Sequence, residues 1–100
     1  MTDDAPEGVT LRFEMGCVPA EFHRLLPMVD WVVWDAWRAE FSHVEPGRSW
    51  RLRLLAERER RIALLRLPVV DVEFGFRGYA QAEIDAVMAR FFAYFRRGGG

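Results

Sequence analysis

Residues 69–95 read VVDVEFGFRGYAQAEIDAVMARFFAYF, and the spacing of apolar residues changes within this stretch. Up to Phe76, apolar and polar residues alternate, as in a strand with one buried face. After Tyr79, apolar residues recur every three or four positions from Ile84 to Phe95, which is the spacing of a helix. A half-buried strand followed directly by an amphipathic helix predicts a mixed α and β domain with one core.

The length and composition predict one domain with more aromatic surface than it can bury. A chain of 100 residues buries about two thirds of its unfolded surface, and this one contains four Trp and eight Phe. We expect a second copy to cover the surplus, giving a homo-oligomer such as a dimer, or another protein to bind there. We assign residues 1–8 to a flexible tail, residues 9–97 to the domain and residues 98–100 to a flexible glycine tail.

Charge and cysteine content restrict the class of protein. The formal net charge is −1, which gives no general reason for binding polyanions, so nucleic acid is not the expected partner. Cys17 is the single cysteine, so no internal disulfide forms and nothing indicates secretion. No apolar run approaches the length of a membrane span. We therefore predict a cytoplasmic protein that does not contact a membrane.

The first half of the chain predicts a strand followed by helical structure. Residues 9–15 alternate between apolar and polar side chains, which is typical of a strand. Pro19 suits the first turn of a helix, and Pro27 is expected to kink or break that helix. Residues 28–41 are predicted to continue as a helix, because their aromatic residues share one face. A strand over residues 28–34 is the alternative.

Residues 49–67 allow two interpretations. Apolar residues alternate with arginines from Trp50 to Leu54, which favours a hairpin whose turn of three to five residues lies within residues 57–61. Pro68 would then bulge the ladder before the next strand. The alternative is one helix that Pro68 ends. We favour the hairpin, because a helix would scatter the apolar residues around its axis.

The last predicted element is a helix over residues 80–97, with acidic residues near its start and arginines near its end. Together the elements predict an α+β fold of the order β-α-β-β(-β)-α. Two helical segments would cover one face of a small antiparallel sheet, as in ferredoxin-like or related split β-α-β folds. The order of the strands stays open.

Apolar side chains supply the first candidate site, an interface. The aromatic stripe of the predicted second helical segment and apolar residues of the hairpin would form it. The candidate interface residues are Trp31, Trp34, Trp37, Phe41, Leu55, Leu65 and Leu67. This surface favours a non-catalytic homodimeric or accessory interaction domain.

Arginines of the hairpin supply an alternative site, for RNA or single-stranded nucleic acid. The candidate residues are Arg48, Arg51, Arg53, Arg60 and Arg61. Strand alternation turns their aromatic neighbour Trp50 to the opposite face, which weakens this interpretation.

A small enzyme or ligand-binding protein with Cys17, His23 and Glu14 near a pocket is the remaining alternative. A helix N-terminus favours a thiolate, but a lone cysteine at a strand end is more often a small buried apolar residue. The short ligand spacings of metal sites do not occur. We predict no metal and no cofactor, and we assign no catalytic residue.

Overall fold

Five strands form one antiparallel sheet in the part of the chain that the structure describes, residues 8–98. The structure is a computed structural model. The elements are β1 (Gly8–Met15), α1 (Pro19–Val29), β2 (Val33–Asp35), β3 (Glu40–Glu45), β4 (Arg48–Ile62), β5 (Leu65–Arg77) and α2 (Gln81–Gly98). The spatial order of the strands is β1-β5-β4-β3-β2. The predicted tails fall largely on residues 1–7 and 99–100, which lie outside the described residues.

The α+β class is confirmed, but the predicted topology is not. Four strands separate the two helices, where two or three were expected. Each described strand pair is antiparallel, so the sheet contains no β-α-β unit with adjacent parallel strands. A ferredoxin-like arrangement is therefore not confirmed.

The predicted first strand, last strand and last helix are found as β1, β5 and α2. Leu11 of β1 faces Phe74 of β5 across the sheet, and both side chains pack in the core that the helices cover. Ahead of α2, the amide of Ala80 donates to the carboxylate of Glu83 at 2.8 Å. This bond is the return bond of a capping box and fixes the start of the helix.

The helix predicted over residues 28–41 is wrong. α1 includes Pro27 and ends at Val29, and the chain then forms β2, a turn and β3. Residues 32–34 are β-branched or aromatic, which favours a strand. In the turn, the carboxylate of Asp35 accepts hydrogen bonds from the amides of Trp37 and Arg38 at 2.9 and 3.3 Å. The alternative strand over residues 28–34 is correct only from Val33 onwards.

The hairpin predicted for residues 49–67 is found as β4 and β5, but its turn lies elsewhere. The turn consists of residues 63–64, and Ala63 has a φ of 55°, as two-residue hairpin turns require. The charged residues 57–61 lie within β4. Charged side chains are tolerated there because solvent contacts this part of the strand on both faces. The ladder is irregular between Leu54 and Glu57, so the bulge expected at Pro68 is misplaced.

The core lies between the helices and the inner face of the sheet. Trp50 and Phe74 are its largest buried members on the strands, and Phe22 and Phe91 are the largest on the helices. Trp50 is 2 % exposed, and the other three tryptophans are far more exposed. One protomer therefore does not cover its own indole surface.

Gly78 and Gly47 both have a positive φ, and substituting each of them tests how closely Gly78 packs against the turn before β4. Gly78 has a φ of 75°, and a Cβ there would overlap the carbonyl oxygen of Gly47. Gly78→Ala should lower the free energy of unfolding by about 2–4 kcal/mol, since a left-handed alanine costs about 1–2 kcal/mol and overpacking adds about 1–3 kcal/mol. Urea unfolding measures this loss.

Gly47 is the control for this prediction. It has a φ of 84°, but a Cβ there would meet no heavy atom within 4 Å. Gly47→Ala should therefore show only the backbone cost of about 1–2 kcal/mol. Equal losses for the two variants would contradict the packing of Gly78 against the turn before β4.

Candidate functional site, a projecting arm

The far half of the β4–β5 hairpin extends beyond the neighbouring strands. β1 accompanies β5 only to Val70, and β3 accompanies β4 only to Arg53. Within the described chain, residues 57–62 therefore pair only with residues 65–70 of the same hairpin, and Leu55 and Ala56 lie in the irregular part of the ladder. The molecule measures 52 × 27 × 26 Å, which reflects this extension. We call residues 55–69 the arm.

One face of the arm carries exposed apolar side chains, and Arg58 and Arg60 lie beside them on the same face. Ile62 pairs with Leu65, and together with Leu67 and Leu55 they lie on the face of the sheet that the helices do not cover. Leu64 occupies the turn and is 100 % exposed, and Leu65 is 62 % exposed. The helices and the core lie on the other face, so the body of the same protomer leaves this apolar face open.

Ion pairs fix the arm to the body at its base. Arg58 of β4 donates to Glu14 of β1 and to Asp71 of β5, each at 2.7 Å. Arg60 donates to the second oxygen of Glu14 at 2.6 Å. The hydrogen bonds from Arg58 hold the pKa of Glu14 and that of Asp71 below their ordinary values. We call these four residues the clamp.

The predicted aromatic surface is found only in part. Trp37 is 98 % exposed at the turn between β2 and β3, and Trp31 and Trp34 are partly exposed. Phe41 is 2 % exposed, so its assignment to an interface is wrong. It lies on the inner face of β3, where it belongs to the core.

The turn that carries Trp37 lies beside the base of the arm. The carbonyl of Ala39, at the end of this turn, accepts a hydrogen bond from the amide of Leu54 at 2.8 Å. The arm begins at the next residue. The most exposed tryptophan and the exposed leucines thus occupy the same end of the sheet.

Most of the arginines predicted as a nucleic-acid site form ion pairs with carboxylates of the same chain. Arg51 lies 3.5 Å from Glu40 and 3.6 Å from Glu73, and Arg53 lies 3.4 Å from Glu40. Both carboxylates are nearly buried beneath the guanidinium groups on the uncovered face of the sheet. Gly75 leaves the space that the guanidinium of Arg51 occupies. These arginines therefore neutralise acidic neighbours.

The remaining arginines of that set differ in their surroundings. Arg48 contacts Glu45 and Glu83 at 3.3 and 2.8 Å, and the clamp holds Arg60. Arg61 lies directly opposite Arg66 across the arm. Like charges in this position repel each other.

The three residues of the alternative reactive site occupy different surroundings. Glu14 belongs to the clamp on the uncovered face. Cys17 packs against the core, and burial, reinforced by Glu21, raises the pKa of its thiol. His23 packs edge-on against Trp34, with 4.5 Å between the ring centroids. A raised pKa disfavours the thiolate that nucleophilic chemistry needs.

A cleft of about 440 Å³ lies at the other end of the sheet from the arm. Its charged lining residues bond to one another: Arg48 contacts Glu45 and Glu83, and Arg90 contacts Asp30 at 3.2 Å. The hydrogen bond from His43 lowers the pKa of Glu45. These pairings leave each of its two arginines in contact with a carboxylate of the same cleft.

His43 anchors the floor of this cleft and was not predicted as a site residue. Its side chain is 2 % exposed. Nδ1 lies 2.8 Å from the carbonyl oxygen of Trp31, and Nε2 lies 2.9 Å from a carboxylate oxygen of Glu45. Through its contact with Trp31, the ring connects β3 with the segment before β2. No local sequence pattern marks it, because these contacts depend on how the chain folds back.

Comparisons with known proteins find no relative of this chain. No protein-family model, no curated protein and no solved structure matches it. Within residues 8–98, neither helix has the length and hydropathy needed to cross a membrane. The same residues contain no group of three or more His, Cys, Asp or Glu placed to hold a metal ion.

The clamp makes a prediction about pH. The pKa values of Glu14 and Asp71 are lowered in the folded protein, so their stabilisation is complete above the ordinary carboxyl pKa of about 4. It is lost as the pH falls through the lowered values. The double variant Glu14→Gln, Asp71→Asn should therefore melt below the wild type at pH 7, and this difference should shrink towards pH 3.

Thermal unfolding of both proteins across this pH range measures the difference. Asp85→Asn is the control, because the carboxylate of Asp85 accepts its hydrogen bond from the neutral side chain of Gln81. A difference between wild type and double variant that stays constant from pH 7 to about 3 would refute the clamp.

Proposed function

We propose that the protein is a cytoplasmic, non-catalytic interaction domain whose arm packs against a second copy of the chain to form a homodimer. The observation that carries the proposal is the exposed apolar face of the arm. Leu55, Ile62, Leu65 and Leu67 share that face. Leu64 continues it at the tip. An exposed apolar patch of this kind is typical of an interface.

The length of the arm strengthens this argument. A two-stranded hairpin without further packing is at best marginally stable in water. The clamp holds only the base of the arm, near Arg58 and Asp71. The tip, where Leu64 is fully exposed, lies farther along the hairpin. A partner that covers the apolar face would stabilise the whole arm.

The energetic balance favours a symmetric partner. The exposed fractions of the five arm side chains correspond to about three whole aliphatic side chains, and burying one contributes about 1.5–3 kcal/mol. Association costs about 4–15 kcal/mol. Three such side chains contribute about 4.5–9 kcal/mol, so one arm alone offsets only the lower half of that range. A two-fold dimer uses the same surface twice, so two arms double the favourable contribution.

Trp37 supports a partner at the same end of the molecule. The carboxylate of Asp35 fixes its turn by accepting two backbone hydrogen bonds. A tryptophan presented on an ordered turn loses little conformational entropy when a partner covers it. Tryptophan is also among the residues that contribute most to binding at protein interfaces.

The first experiment measures the mass in solution by light scattering over a range of protein concentrations. The wild type should approach twice its protomer mass of 11.7 kDa. Leu65→Ser should raise the dissociation constant about tenfold or more, because each dimer loses two apolar side chains from the surface that the two arms form together. A wild type that stays monomeric at every concentration would refute the homodimer.

The matched control is Val44→Ser. Val44 is 57 % exposed, and it lies on the same uncovered face of the sheet, in β3, away from the arm. Its substitution should leave the dissociation constant unchanged. Equal weakening by the control and by Leu65→Ser would show that the arm is not the interface.

A further inference from the structure

The backbone of the arm has one edge that can accept another strand. The carbonyl oxygen of Pro68 lies 4.0 Å from where a Cβ on Gly16 would be, so it points towards the β1 side of β5. Within a strand, the N and the C=O of one residue point to the same side. The nitrogen of Pro68 therefore also points outward, and this edge of β5 lacks a donor there.

The direction of Pro68 fixes the direction of its partners on β4. Pro68 is paired with Glu59, so Glu59 also directs its N–H and C=O away from the β4–β5 ladder. The same holds two residues away in each direction, at Glu57 and Arg61. The amide of Leu54, in the equivalent position before the bulge, donates to Ala39 on that side, which confirms the direction.

The open edge of β4 therefore presents backbone donors and acceptors beyond the end of β3. Residues 55–62 form this edge, and β3 stops at the pair of Glu40 with Arg53. An edge of about eight residues spans about 25 Å. An exposed edge of this length is a template for another strand.

We propose that this edge pairs antiparallel with the same edge of a second copy, with the two-fold axis at Arg60. The proposal rests on the homodimer proposed above and adds a backbone contact at the strand edge, which places the apolar faces of the two arms next to each other on the same side of the joined sheet. In this register Glu59 lies opposite Arg61 of the second copy, and the pair occurs twice. Backbone hydrogen bonds join the two arms into one four-stranded sheet.

The charges on β4 select this register over its neighbours. An axis at Glu59 places Glu59 opposite itself and Arg58 opposite Arg60. An axis at Arg58 places Glu57 opposite Glu59. Each of these alternatives contains three like-charge pairs, which are destabilising, and the axis at Glu59 offsets them only by two pairs of Glu57 with Arg61. The axis at Arg60 contains one like-charge pair, Arg60 with itself. The axis at Arg60 brings opposite charges together at two pairs.

The surroundings of the two arginines agree with this choice. Arg60 faces its own copy across the axis, but Glu14 already neutralises it at 2.6 Å. Arg61 has Arg66 as its neighbour across β4–β5. Glu59 of the same copy already pairs with Arg66 at 4.0 Å, and a carboxylate of the second copy on the open side would do the same for Arg61.

Charge reversal tests the register. Glu59→Arg and Arg61→Glu should each weaken self-association about tenfold, because each single variant places like charges in both pairs. The double variant Glu59→Arg, Arg61→Glu restores opposite charges and should bind within about threefold of wild type. Sedimentation equilibrium gives the dissociation constants, and circular dichroism shows that each variant is folded.

Glu57→Arg is the matched control, because it makes the same charge change opposite Ala63 of the second copy and should stay close to wild type. A wild-type dimer that both single variants leave unchanged would overturn the register while the homodimer stands. Weakening by the single variants without rescue in the double variant would overturn it as well. A wild-type monomer, including one that binds only another protein or anionic lipid vesicles, would overturn the homodimer and the register together.

Discussion

Backbone hydrogen bonds between β4 and β5 join the core of this protein to its arm. In the first half of this ladder, Leu52 and Phe74 pair across the strands and both are fully buried. In the second half, water reaches both faces. The irregularity between Leu54 and Glu57 lies where the two halves meet. A bulge increases the local twist of a strand, so it separates the packed part of the sheet from the part that projects.

The uncovered face of the sheet carries different side chains in the body and in the arm. In the body, Glu40 and Glu73 lie nearly buried beneath Arg51 and neighbouring arginines, which satisfy them without a second layer. Exposed pairs of this kind contribute little individually, but here they leave the body with little unpaired charge and little apolar surface. On this face the body exposes Val33 and Val44, and the arm adds Leu55, Ile62, Leu65 and Leu67 beside two paired arginines. A partner would therefore bury more apolar surface on the arm than on the rest of this face.

The sequence correctly predicts the strands and helices that have one buried face and one exposed face. Alternation around Phe74 reveals β5, and the helical spacing from Ile84 reveals α2, because each face meets either core or water. Residues 31–37 mislead, since three tryptophans at a spacing of three imitate a helical face. They belong to a strand edge and a turn that the carboxylate of Asp35 stabilises.

The arm exposes a second limit of sequence interpretation. Residues 57–61 look like a turn because they are charged, yet they continue β4 where neither face is buried. Their lack of glycine and asparagine was the signal against a turn. The exposure of Leu64 followed from the true turn position and could not be predicted without it. The contacts of His43 likewise depend on the folded chain.

Hydrogen exchange of the arm amides tests the central claim most directly. Dimer formation across the open edge predicts that exchange at Glu57, Glu59 and Arg61 slows as the protein concentration rises, while exchange in residues 70–76 stays constant. Exchange at these three amides that is equally fast at low and high concentration would contradict strand pairing between two copies.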